Sequence, residues 1–227
     1  MSLAGSNILV IGANGVLGSQ IAQLLMQRGA QVIGTARANE TAGSMPAGLA
    51  QALLLDLESD QSIETLVNYV MTSNIKLDGI VVASGLVAFG SVSDTPSAVA
   101  QRLMVVNHLA PSKVISGLLG RLAESQNEPF VASISGVVAE KIFPGMAAYV
   151  TSKTAHSTWL KALALEARRA GIRVVDARPG HTETGLAGRA IFGTAPAFAQ
   201  GMTAEHVATV IVNALEQGLK DLPSEAF

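Results

Sequence analysis

Tyr149 and Lys153 stand four residues apart in Tyr149-Val-Thr-Ser-Lys153. On a helix, positions i and i+4 share one face, which brings a phenol and an ammonium together. A free tyrosine ionises near pH ~10, so moving it to neutrality takes about 4 kcal/mol. A unit charge about 4 Å away, at an effective dielectric of ~20, supplies a similar amount. The pair therefore reads as a proton-transfer group with its own cation, and the spacing predicts that Lys153 lowers the Tyr149 pKa. An amphipathic helix that exposes both residues by chance has the same spacing, so the weight comes from what lies upstream.

Upstream, Gly12-Ala-Asn14-Gly15-Val16-Leu17-Gly18 follows an apolar run at 8–11 and opens a helical pattern. Small residues there let the backbone approach a pyrophosphate, and the helix start presents free N–H groups. A tight strand-to-helix turn also wants glycine for steric reasons alone. The run at 32–36 ends in Ala36-Arg37, where an NAD site carries an acid for the ribose hydroxyls. With no carboxylate to repel a phosphate and a guanidinium to grip one, NADP(H) is expected, NADPH in preference to NADH. The bland alternative for Arg37 is a solvated surface cation. Asp56, followed by Leu57, ends the third run; it accepts from an adenine amino group or caps the next helix.

These residues need a scaffold, and the apolar pattern supplies one. Runs at 8–11, 32–36, 52–55, 80–83, 130–134 and 172–177 read as short strands buried on both faces. Leu17, Ile21, Leu24 and Leu25 mark a helical face ended by Gly29; Ile63, Leu66, Val67 and Val70 mark another. Two long helices are expected at 98–123 and 147–170, the second closed by Gly171, and residues 43–48 read as a loop. Strict strand–helix alternation predicts an α/β fold, a doubly wound parallel sheet of six to seven strands with helices on both faces.

The chain has 227 residues, 49% of them hydrophobic and 14% charged, which suits a single domain over 1–227. A net charge of −2 with no basic block argues against nucleic acid. There is no cysteine, and the four histidines, His108, His156, His181 and His206, lack metal-ligand spacing, so no metal site is expected. No stretch approaches the roughly 18 apolar residues of a membrane span, and the first residues carry no signal-peptide pattern. A cytoplasmic protein with small-molecule partners is the expectation. Val114, Leu118, Trp159, Leu160 and Leu163 give the two long helices more apolar surface than one sheet contact requires, which predicts a homodimer or homotetramer.

Asn107 has a reading of its own. Pro111, four residues on, cannot donate to its carbonyl, which is left free for water or marks a structural kink. Pro179-Gly180-His-Thr182-Glu-Thr184 follows the sixth strand, at the edge where such sheets bind ligands, although a Pro-Gly turn with threonine caps has the same sequence. Residues 185–201, carrying Ile191, Phe192, Pro196 and Phe198, read as a mobile apolar substrate lid or an ordinary packed loop. With Leu86, Val87, Phe89 and Phe143 they suggest a mostly apolar pocket without arginine or lysine.

In sum of these motifs the chain resembles the short-chain dehydrogenase/reductase family, whose fold is Rossmann-like. The resemblance rests on Gly12-x-x-Gly15-x-x-Gly18, Asp56-Leu57, Ala83-Ser84-Gly85, Asn107, Tyr149 with Lys153, and Pro179-Gly180-x-x-x-Thr184, in the expected order. It implies a tyrosine acid/base, a lysine that lowers its pKa and holds the nicotinamide ribose, an asparagine supporting a proton-relay water, and a serine polarising the carbonyl. Thr184 and the backbone of Thr182 would hold the carboxamide. Three departures stand out. The family's main branch has its middle glycine where this chain has Val16. The usual Asn-Asn-Ala-Gly is Val82-Ala83-Ser84-Gly85. The usual serine position, thirteen residues before Tyr149, is Gly136, with Ser135 one place earlier. On a continuing strand Ser135 faces away, so it serves only if the chain turns there. The expected activity is carbonyl–alcohol interconversion; a non-catalytic NADP(H)-binding sensor or scaffold with the same fold and a nucleotide-sugar epimerase relative are the alternatives.

Overall fold

In the computed structural model, which describes residues 2–38 and 44–227, seven strands form one parallel sheet. They are β1 (Asn7–Ile11), β2 (Gln31–Ala36), β3 (Gln51–Leu54), β4 (Gly79–Val82), β5 (Phe130–Ile134), β6 (Arg173–Ala177) and β7 (Asp221–Leu222), in the order β3-β2-β1-β4-β5-β6-β7. The order reverses between β1 and β4, which opens a crevice at the carboxyl edge of the sheet. Of the loop expected at 43–48, residue 43 lies outside the described residues.

The sheet is buried on both faces because successive side chains of a strand point opposite ways. In β1, Ile8 and Val10 pack beneath α1 (Val16–Gln27) and α6 (Ala204–Glu216). Leu9 and Ile11 face the other core, formed with α2 (Asp60–Thr72), α4 (Ala110–Ala123) and α5 (Ala147–Glu166). Gly29 (φ 83) ends α1 and Gly171 (φ 70) follows the 3-10 turn that closes α5, both in the left-handed conformation of a helix C′ residue.

Several expectations change. β3 is an edge strand whose residues alternate between half-buried and exposed, so its apolar run is covered on one side only. β7 pairs two residues with Asp176 and Ala177, too short for a periodic signal. The helix expected at 98–123 is α3 (Ser97–Met104) and α4 joined by a π turn, Val105–Leu109. Pro111 fits the turn: without an N–H it cannot close an α-helical bond to Asn107's carbonyl, and the preceding Ala110 N–H reaches back five residues to the Val105 carbonyl. Val114, Leu118, Leu160 and Leu163 are all buried inside the chain, so they leave no surplus for a subunit contact. Trp159 is partly buried against the same core, stacked on His156.

Candidate active site

A cleft of about 1130 Å³ runs along the crevice, from Arg37 and Asp56 past Gly12 and Asn14 to Tyr149 and Lys153. Gly12 (φ 83) turns the chain out of β1 so closely beneath the β4 loop that a Cβ would sit 3.1 Å from the Ser84 nitrogen. Asn14, Gly15, Val16 and Leu17 line the cleft. Gly18 does not line it; a side chain there would collide with the Gly12 carbonyl, so its role is to let α1 start against the turn. The N-cap of α1, Gly15, offers no side chain, and the first turn carries no acid, which leaves its N–H groups to whatever occupies the cleft. The Ser84 hydroxyl is buried there without a partner. A backbone cradle, uncapped donors and an orphan hydroxyl fit a dinucleotide.

At the far end Arg37 is exposed on the cleft and makes no ion pair among the described residues. Glu58, nearby, is held by Arg102 at 2.6 and 2.9 Å, and these cations keep its carboxyl below the usual range. Asp56 accepts from the Glu58 N–H at 2.9 Å, while Ser59 is the cap of α2, so Asp56 does not cap that helix. Leu57 is buried and also borders the cleft.

The π turn aims Asn107 at the loop after β4. Its amide accepts from the Leu86 N–H at 2.8 Å and donates to the Leu86 carbonyl at 2.9 Å and to Ser152 Oγ at 3.0 Å. Ser152 in turn donates to the Tyr149 carbonyl at 2.8 Å. Thus Asn107 braces the Ala83-Ser84-Gly85 loop that lacks the family's asparagines, and Ser152, fully buried three residues after Tyr149, is a link that sequence reasoning missed. A Cβ at Gly85 would lie 3.3 Å from Asn107 Oδ1 and 3.4 Å from Lys153 Nζ, so these groups converge on one spot.

Tyr149 lies half-buried in the cleft wall, and burial pushes its phenol up to about 12. The lowering expected from Lys153 is not realised: the Nζ of Lys153 donates to the Ile134 carbonyl at 2.7 Å. Burial instead brings Lys153 down to about 8, against the opposing pull of the Asp176 charge. Ser135 also departs from expectation. It borders the cleft but is wholly buried, and its hydroxyl is engaged, donating to Asp176 Oδ1 at 2.5 Å. Gly136 lines the cleft with φ 80 and ψ 165, so no hydroxyl replaces the family's serine at this position.

Pro179, Gly180, Thr182 and Thr184 border the same end. The Thr182 hydroxyl donates to the Gly180 carbonyl at 3.0 Å and its carbonyl accepts from the Thr184 N–H at 2.8 Å. Over residues 185–201, Ile191 donates its N–H to the Val87 carbonyl and Phe192 accepts from the Phe89 N–H, both at 2.9 Å, pinning the segment down. Phe198 alone of the four expected lid residues reaches the main cleft, stacked on His181 at 4.6 Å. Phe192 and Pro196 line a smaller neighbouring cavity of about 420 Å³. Arg189 also borders the main cleft, against the expectation of a pocket without arginine.

A nucleotide cradle at a switch point, opening onto a tyrosine and a buried lysine, defines a nucleotide-dependent enzyme. A family model described as short chain dehydrogenase matches residues 6–191, and the chain belongs to that family of NAD(P)-dependent dehydrogenases and reductases. It is 28% identical over 95% of its length to the glycine betaine reductase ATRR of Emericella nidulans, of which it spans only 18%. It is 25% identical over 97% of its length to dehydrogenase/reductase SDR family member 7B of Mus musculus, covering 73% of that protein. A short-chain dehydrogenase from Sphingobium yanoikuyae in complex with NADPH shares the fold with a TM-score of 0.84 at 19% identity, over 96% of this chain and 87% of that one. No described helix is long and apolar enough to cross a membrane.

Proposed function

We propose that this oxidoreductase uses NADP(H), with NADPH preferred, to interconvert a small, mostly apolar carbonyl compound and its alcohol, with Tyr149 as the acid/base. The observation that carries the reading is the placement of Tyr149 in one continuous cleft with the glycine turn and Arg37, and against the apolar group Val87, Phe89, Val138 and Leu186. The cofactor, when bound, supplies or accepts the hydride. The turn at Gly12–Leu17 and the start of α1 would hold its phosphates, Arg37 a 2′-phosphate, and Asp56 its adenine. Lys153 holds a positive charge beside Tyr149, and Thr182 and Thr184 orient the ring end.

A phenol raised to about 12 is neutral at physiological pH, the correct state for giving a proton to a developing alkoxide. The same phenol, once deprotonated, is the base for the reverse reaction, alcohol oxidation. With the Ser135 hydroxyl engaged by Asp176, Tyr149 polarises the carbonyl without a serine partner, and the expected substrates are reactive aldehydes and ketones. Arg189 at the rim adds a cation to an otherwise apolar end. The same loss of serine is the observation that favours a second reading, an NADP(H)-binding sensor. A panel of aldehydes, ketones and alcohols with both cofactors, followed at the nicotinamide absorbance, separates them: turnover of any carbonyl at above ~1 s⁻¹ supports the enzyme, and saturable NADPH binding with no turnover supports the sensor. A homodimer or homotetramer remains the proposed assembly, now through Leu109 and Leu165, which are 53% and 77% exposed.

A further inference from the structure

Behind the cleft lies a buried polar cluster that the proposed reaction does not use. Asp176 sits in β6 among Val174, Val175 and Ala177, 5% exposed, in a stretch that otherwise reads as plain core. Its two carboxylate oxygens accept from Ser135 Oγ at 2.5 Å, Ser157 Oγ at 2.6 Å and Arg178 Nη1 at 3.1 Å. A buried carboxylate is costly unless such donors satisfy it, so three converging donors mark a built site. Ser157 is four residues after Lys153 on α5 and shares its face. Ser135 follows Ile134, whose carbonyl holds Lys153 Nζ. The carboxylate is therefore tied to the two segments that carry and anchor the lysine.

We propose that Asp176, held by Ser135 and Ser157, is a positioning residue that keeps the Lys153 ammonium charged and in place behind Tyr149. This rests on the reading of Tyr149 and Lys153 as the proton-transfer pair.

The surrounding charges leave this task to Asp176. Arg178, the cation nearest to it, is bidentate to Asp221 at 2.7 and 2.8 Å and also paired with Glu140, so its charge is largely spoken for. On Lys153's own helix, His156 is buried against Ser133 and driven down to about 3, and Tyr149 is neutral. His108, on the π turn, is also lowered by burial. Neither histidine is charged at neutral pH. Among the described residues, Asp176 is then the one buried carboxylate whose charge opposes the desolvation of Lys153. Ser135, the nearest hydroxyl in sequence to the missing serine, thus acts on the site through the lysine.

The test follows the lysine itself. Protein carrying ¹³C-labelled lysine is titrated by NMR without cofactor, the Lys153 Cε signal being assigned by its loss in Lys153→Arg. The wild-type midpoint is expected near 8, and Asp176→Asn is expected to lower it by about one unit or more, a tenfold loss of the charged form above the new midpoint. On a carbonyl substrate, the alkaline limb of the kcat profile should move by the same amount, with activity recovering towards acid pH. A Lys153 midpoint that stays put in Asp176→Asn overturns the proposal. Should that variant not fold, Ser135→Ala with Ser157→Ala frees the carboxylate to swing onto Arg178, and the midpoint must again fall; an unmoved midpoint there is equally fatal. If no substrate is found, only the reductase reading fails, because the titration reads the lysine without turnover.

Discussion

Asn107 grips Leu86 by both backbone groups, accepting from its N–H at 2.8 Å and donating to its carbonyl at 2.9 Å. β4 has ended at Val82, so the amide supplies Leu86 with both backbone partners that a neighbouring strand would otherwise give. It can do so because the π turn rotates it inward, where it is 2% exposed. Asn107→Ala orphans both Leu86 groups and the Ser152 contact, which should cost about 2–4 kcal/mol at roughly one per lost bond plus desolvation. Urea melts check this, and a loss below about 1 kcal/mol would mean that water replaces the amide freely.

Tyr149→Phe keeps the ring against Val87 and Phe89 but removes the proton. Turnover should fall by about 10²–10⁴-fold while NADPH affinity changes by less than about twofold. Lys153→Ala should damage both, because its ammonium faces the cleft end where Asn107 and Gly85 converge. Retention of most activity in Tyr149→Phe on a good substrate would remove the phenol from the mechanism.

The alternation of short apolar runs with helical patterns made the sheet legible, since side chains buried on both faces leave uninterrupted Val and Ile runs such as Ile80 to Val82. β7 escaped because two residues have no period, and β3 misled because an edge strand can carry the same apolar run as a central one. Tyr149, Lys153 and the glycine turn were legible as local spacing. The Asp176 cluster is assembled from the residue after β5, α5, β6 with Arg178 just after it, and β7, so no spacing reveals it; the available signal was an acid inside Val174-Val175-Asp176-Ala177. The surplus apolar residues of the long helices misled for a related reason. Val114 and Leu118 contact both the sheet core and neighbouring helices, a burial that a single helical stripe does not describe.

Cofactor preference turns on the end of β2. Arg37 is exposed on the cleft, Ala36 offers no carboxylate, and the nearby Glu58 is occupied by Arg102. NADPH should bind about 10–100-fold more tightly than NADH, the worth of one charge-assisted contact. Ala36→Asp with Arg37→Ala should reverse the order. Equal affinities in fluorescence titrations of the wild type would refute the assignment.

Lys153 also couples stability to pH. Its folded value of about 8 lies below the ordinary 10.5, so between these limits the unfolded chain holds a proton that the folded chain has released. Stability from this group therefore rises with pH across that window. The burial penalty, about 3 kcal/mol, is full below pH 8 and gone above 10.5. Tyr149, raised to about 12, works in the opposite sense above pH 10. Relative to Lys153→Met, the wild type should gain about 2 kcal/mol between pH 7 and pH 10. A constant difference across that range in denaturant melts would show that Lys153 is not desolvated.

Gly136 occupies the position where the family carries serine, at φ 80 and ψ 165, a region of the backbone map reserved almost wholly for glycine. A Cβ there would meet nothing closer than the Pro179 carbonyl at 3.7 Å, so the obstacle to a side chain is backbone strain and not space. The conformation is fixed from both sides: the Gly136 N–H donates to the Ala177 carbonyl at 3.2 Å and the Val137 N–H to the Pro179 carbonyl at 2.8 Å. Gly136→Ser should therefore lower stability by about 1–3 kcal/mol and raise turnover by less than about twofold, because the strain resists a productive hydroxyl. The variant is judged by thermal melts and by kcat on the same substrate. A tenfold gain in kcat at unchanged stability would show that this turn accepts serine, and that Tyr149 works without one by history and not by geometry.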